Sequence, residues 1–140
     1  MLYFAYGSNL WREQMAARCP EHRLVGAGRL EGWRWIITTR GYASIVVSAT
    51  DLVLGMVYEL SDEDVRNLDR YEGGYRKEML MVEADGQGLN CLVYIDLVTE
   101  AGEPHTEYIT RINNGIQDAG LPEEYVSRYL RPGLSTRSCT

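Results

Sequence analysis

Leu2-Tyr3-Phe4-Ala5-Tyr6-Gly7-Ser8-Asn9-Leu10, residues 2–10, sets an apolar run directly against a turn of small and polar residues. The run from Met1 to Tyr6 predicts a short buried strand, and apolar residues at Trp11, Met15 and Ala16 predict a helix from Trp11 to Arg18. Gly7 can take a positive φ without steric cost, and Ser8 or Asn9 can accept hydrogen bonds from the first free N–H groups of the helix. A strand, a glycine turn and a helix start aim several backbone N–H groups at one spot, with the positive end of a helix dipole behind them. That is a place for an anion, although ordinary helix capping accounts for the same residue types. A second feature has to point to the same place.

Working outward, 140 residues make one ordinary domain, long enough to bury a core, and 45% apolar with 24% charged residues is the balance of a globular protein. The formal net charge is −6, the arginines are scattered and the single lysine is Lys77, so nucleic acid and anionic membrane surfaces are poor partners. No apolar run approaches the roughly 18 residues of a membrane span, and the start lacks the basic region of a signal peptide, so a cytoplasmic location is expected. Cys19, Cys91 and Cys139 form no CxxC pair, and His22 and His105 have no neighbours at ligand spacing; reduced thiols and no metal are expected.

After Cys19-Pro20 the chain turns extended. Trp33, Trp35 and Ile37 alternate with Arg34 and Ile36 as in a strand, Arg40-Gly41-Tyr42 is a turn, and Ala43 to Ser48 reads as the returning strand. Leu52 to Leu60 gives a further strand, broken by Gly55. Ser61 followed by Asp62, Glu63 and Asp64 is a helix start, with Leu60 and Val65 placed to staple across it, and Gly73-Gly74 ends that helix after about Tyr71. Tyr75 to Ala84 and Leu89 to Val98 form a hairpin around Asp85-Gly86-Gln87-Gly88. Ile109, Ile112 and Ile116 lie on one face of a helix closed by Gly120, and Pro122 opens another through Tyr125, Val126 and Tyr129. The sum is a single α+β domain of about six strands and four helices over residues 1–131, with a polar tail over 132–140. Its sheet is expected to be mostly antiparallel and curled toward a small barrel.

One acidic residue does not suit its place. Glu72 sits at the C-terminal end of the helix from Ser61, where the partial negative charge disfavours a carboxylate, among Tyr71, Gly73, Gly74 and Tyr75. If Glu72 points inward, desolvation adds to the dipole and raises its pKa toward neutrality, as a general acid/base needs; if outward, it is an ordinary solvated glutamate.

The opening LYFAYGSNL, the segment LDRYEGGY (Leu68 to Tyr75) and the late GLPEEY (Gly120 to Tyr125) together resemble the γ-glutamylcyclotransferase family. ASI at Ala43, GMVYEL at Gly55 and CLVYI at Cys91 continue the matching order, so the resemblance spans nearly all of the chain but the tail. It implies a small mixed fold with a barrel-like sheet, no cofactor, homodimers in many members, and cleavage of a γ-glutamyl amide by the substrate's own α-amine to give 5-oxoproline. The family's catalytic glutamate falls on Glu72, its substrate-binding turn on Tyr6, Gly7, Ser8, Asn9 and Leu10, and its later tyrosines on Tyr75 and Tyr108. The segment between Ile37 and Ile45 is short, where larger relatives insert a longer loop beside the pocket. γ-Glutamyl amino acids are therefore the expected substrates, γ-glutamylamines the second choice, and a non-catalytic binder on the same fold the alternative. A hydrolase with Ser8 as nucleophile is a weaker rival, since no G-x-S-x-G elbow surrounds it.

Overall fold

In the computed structural model, which describes residues 1–134, strand β1 (Leu2–Ala5) is covered on both faces, and this organises everything else. Phe4 and Tyr6 point into one apolar cluster, while Tyr3 and Ala5 point into another. Alternate residues of a strand face opposite sides of a sheet, so a strand apolar at every position must lie between two packed layers.

Five strands close into a barrel in the order β1-β3-β2-β4-β5, formed by β2 (Arg23–Ile37), β3 (Ala43–Glu59), β4 (Tyr75–Ala84) and β5 (Gln87–Asp96) around β1. The pairings are antiparallel except for β1 with β5, which run parallel where Tyr3 meets Leu92. This is the mixed α+β barrel expected from the sequence, with one strand fewer. Ala43 to Ser48 and Leu52 to Leu60 belong to one long strand, because both halves of β3 pair with the same β2, although the pairing lapses over Ser48 to Asp51, between Val47 opposite Trp33 and Leu52 opposite Glu31, and shifts again at Val25. Gly55 does not break β3. It lets the strand press against β1, since a Cβ there would lie 2.0 Å from the carbonyl oxygen of Ala5.

The inner cluster fills the barrel with Phe4, Trp35, Val57 and Val93, and is capped by helix α3 (Thr106–Ala119) and the C-terminal helical segment. The outer cluster joins Tyr3, Leu92 and Tyr94 to α1 (Arg12–Arg18) through Met15 and to α2 (Asp62–Tyr71) through Leu68. Full burial of such a side chain is worth roughly 1.5–3 kcal/mol, so this second layer fixes where α2 ends.

Several local expectations hold: Ser61 Oγ caps α2 by accepting from the N–H of Asp64 at 3.1 Å, and Gly120 closes α3 in the left-handed conformation. The β4–β5 hairpin turns on Asp85-Gly86 with both residues at positive φ, a turn two residues shorter than expected, so Gln87 and Gly88 are already paired. Pro122 precedes the last helical segment rather than opening it, and that segment runs as α4 (Glu123–Tyr125), a wide turn at Val126–Leu130 and α5 (Arg131–Leu134). Leu134 is buried, so the chain is still packed two residues past the expected start of the tail; residues 135–140 lie outside the described residues. Among the described residues no helix is long and apolar enough to cross a membrane.

Candidate active site

A cavity of about 320 Å3 lies where β1 and β5 end and β3 and β4 begin, and it brings the opening turn together with Glu72, Tyr75 and Tyr108. These residues come from three separate stretches of chain, brought together only by the tertiary fold.

The turn after β1 differs from the expected helix start. Ser8–Leu10 is one 3-10 turn and α1 starts only at Arg12, and neither Ser8 nor Asn9 caps a helix. Gly7 has φ −123° rather than a positive value; what it supplies is room, because a Cβ would lie 3.1 Å from Tyr108 Oη and 3.3 Å from Ala43 Cβ. Leu10 is not part of the cavity: it is 1% exposed in the outer apolar cluster, and its N–H is spent on the carbonyl of Gly7 at 3.0 Å. Trp11 likewise donates to the carbonyl of Ser8. The N–H groups of Gly7, Ser8 and Asn9 have no backbone acceptor among the described residues, and the N–H and hydroxyl of Ser8 face Tyr108 Oη.

The side chain of Asn9 is committed inside the protein. Its Oδ1 accepts from Gln14 Nε2 at 2.9 Å and from Arg18 at 3.2 Å, and its Nδ2 donates to Tyr3 Oη at 2.9 Å. Ser8 Oγ also accepts from Gln14 Nε2, at 2.8 Å.

The tyrosines divide by where their protons go. Tyr6 donates to the carbonyl of Tyr94 at 2.6 Å, and Tyr75 to the carbonyl of Ala43 at 2.8 Å; both stitch the barrel rim. Tyr108 Oη receives the N–H of Ala43 at 3.2 Å and faces Ser8 at the cavity wall. Burial pushes the Tyr108 phenol up to about 12 and raises Tyr3, Tyr6 and Tyr75 as well, so all four stay protonated near neutrality.

Glu72 is the C-cap of α2, and its N–H closes on the carbonyl of Leu68. Its carboxyl faces the cavity, where burial raises it to about 7 against opposing pulls from Arg18 and Arg40. The turn that follows is tight, with Tyr75 N–H bonded to the carbonyl of Glu72 at 3.0 Å and Gly74 at φ +89°. Arg40 holds it from outside. One guanidinium nitrogen bonds both oxygens of Asp96 at 3.2 Å, and the other donates to the carbonyl of Gly73 at 3.0 Å. The Asp96 side chain is completely buried, so the anchor is fixed. A Cβ on Gly74 would lie 2.4 Å from that guanidinium.

Sequence reasoning did not find Tyr3, Arg18, Arg40 or Arg111 in the cavity wall. Tyr3 lay inside the decisive stretch, but periodicity alone made it a core residue. The arginines are ordinary surface residues until the barrel is closed. Neither histidine reaches Ser8: His22 Nδ1 lies 2.7 Å from the carbonyl of Cys19, and His105 Nε2 lies 2.8 Å from that of Arg40. The hydrolase arrangement is absent among the described residues.

The family described as "Gamma-glutamyl cyclotransferase, AIG2-like" matches residues 3–110. A Mus musculus γ-glutamylcyclotransferase is 30% identical over 142 residues, covering 89% of this chain and 74% of its own. The Homo sapiens protein of the same name is 29% identical with the same coverage. A solved structure titled "Gamma-glutamyl cyclotransferase" superposes with a TM-score of 0.83 at 28% identity, over 91% of this chain and 85% of its own.

Proposed function

The chain belongs to the γ-glutamyl cyclotransferase, AIG2-like family, and from that premise we propose that it converts γ-glutamyl amino acids to 5-oxoproline and a free amino acid. The observation that carries the reading is Glu72, a carboxyl raised to about 7 that faces a cavity also lined by a turn whose N–H groups have no backbone acceptor among the described residues. The α-carboxylate of the γ-glutamyl group is held by the N–H groups of Gly7, Ser8 and Asn9, which turns the adjacent α-amine toward Glu72.

The chemistry is internal to the substrate. The α-amine gives a proton to Glu72 and attacks the γ-carbonyl; the new C–N bond closes a five-membered lactam, the old amide C–N bond breaks, and the leaving nitrogen takes the proton back. A group near pKa 7 suits both transfers. Because nucleophile and electrophile share one molecule, fixing the rotamer supplies much of the rate. Tyr108, protonated and facing the cavity, is placed to donate to the oxyanion or to the substrate.

Incubation with γ-glutamyl-alanine should release 5-oxoproline and alanine in equal amounts with multiple turnovers. Binding without 5-oxoproline would support a non-catalytic binder instead.

A further inference from the structure

We propose that Arg111 holds the carboxylate of the departing amino acid, forming a second anion subsite that favours γ-glutamyl amino acids over γ-glutamylamines. This rests on the cyclotransferase reading above.

The cavity wall carries three arginines, Arg18, Arg40 and Arg111, against one carboxylate, Glu72, in a chain whose net charge is −6. A γ-glutamyl amino acid has two carboxylates and one ammonium, whereas a γ-glutamylamine has one of each. The positive excess therefore suits the first class.

Two of the arginines already have fixed partners. Arg40 is tied to the buried Asp96 and to the Gly73 carbonyl. Arg18 donates to Asn9 Oδ1 and stacks over the Tyr71 ring with 4.3 Å to its centroid. Arg111 differs. It bonds Glu107 one turn away at 2.7 Å, and that glutamate is 70% exposed, so the pair is a surface contact a cavity carboxylate can displace.

Its place also fits. Arg111 follows Tyr108 by three residues on α3, so both side chains project from the same helix face into the cavity. Tyr108 Oη lies against Gly7 and Ala43, and Tyr42 packs edge-on to its ring at 5.1 Å. Glu72 enters the cavity from the end of α2 and Arg111 from α3, so the two come from different elements of the wall. With the α-carboxylate on the opening turn and the amine at Glu72, the leaving group extends toward Tyr42 and Arg111.

The test compares kcat/KM for γ-glutamyl-alanine and γ-glutamyl-ethylamine. In Arg111→Met, which keeps the apolar stem, the preference for the amino acid should fall about tenfold, through KM. Glu107→Gln, which removes the competing carboxylate, should move the preference the other way by about twofold. An active enzyme whose preference is unchanged in both variants, including an equal loss on both substrates, overturns the subsite alone. Wild-type protein inert toward both substrates overturns the cyclotransferase reading and this subsite with it.

Discussion

The two turns that meet at the cavity are built in opposite ways. At Gly7-Ser8-Asn9 the side chains of Ser8 and Asn9 share the amide of Gln14, Asn9 also bonds Arg18 and Tyr3, and the backbone N–H groups have no backbone acceptor among the described residues. At Glu72-Gly73-Gly74 the backbone is pinned, by its own turn bond and by Arg40, and the side chain is left to face the cavity. A backbone site suits a constant charge such as a carboxylate, because its donors cannot titrate. A side-chain site suits a proton that must come and go. Substitutions should therefore act oppositely at the two turns.

The largest effect is expected at Glu72. Glu72→Gln keeps the shape but cannot take the amine's proton, and turnover should fall by about a thousandfold or more, read as the 5-oxoproline rate at saturating substrate. The same variant should be more stable than wild type at high pH. The native carboxyl titrates near 7 instead of its usual 4.5, so the native state resists ionisation: no cost arises below 4.5, and a cost builds as pH rises to about 7 and then levels. Urea unfolding at pH 8 should show a gain on the order of 2 kcal/mol that shrinks toward pH 5. A variant that is inactive yet no more stable at pH 8 would mean that Glu72 is not strained in the folded enzyme.

Next comes Gly7→Ala. The new methyl would press on Tyr108 Oη at 3.1 Å and Ala43 Cβ at 3.3 Å, pushing apart the groups proposed to hold the α-carboxylate. KM should rise about tenfold, with a smaller loss in kcat, because the misplaced backbone weakens binding while Glu72 stays intact. Loss confined to kcat would move the opening turn from binding to chemistry.

Arg40→Ala tests the pinning of the second turn. Arg40 lowers the pKa of Glu72, so removing it should move the acidic limb of the kcat/KM profile to higher pH, and the loosened turn should cost several-fold in rate. Asp96→Asn, which weakens the anchor but leaves the cation, should lower the rate with a smaller movement of the limb. An unshifted limb in Arg40→Ala would leave Arg40 a purely structural residue.

How much of this the sequence disclosed follows from the range of each interaction. β1 and its turn were legible because a strand buried on both faces is a local pattern, and Glu72 stood out because a carboxylate at a helix end conflicts with its surroundings locally. The merging of two expected strands into β3 was not legible, since what joins Ala43–Val47 to Leu52–Glu59 is that both pair with the same distant strand, β2. Leu10 was drawn into the site by adjacency, whereas the 3-10 turn rotates it into the outer core. Arg40 and Asp96 are 56 residues apart, and nothing in either neighbourhood marks it as a partner of the other.

The smallest effect is expected at Ser8, the residue of the opening turn most easily mistaken for a nucleophile. Its Oγ accepts from Gln14 Nε2 at 2.8 Å, but that amide also donates to Asn9 Oδ1 at 2.9 Å, so Ser8→Ala leaves Gln14 with an acceptor. The N–H of residue 8 survives the substitution, and with it the share of carboxylate binding assigned to the backbone. What is lost is a hydroxyl facing Tyr108 Oη, which loosens one contact of a phenol still held by the N–H of Ala43. KM should rise about two- to fivefold with kcat nearly kept, the size of one modest hydrogen bond. Complete loss of 5-oxoproline formation in Ser8→Ala would break the contrast between the two turns, because a side chain of the first would then be doing the work assigned to the second.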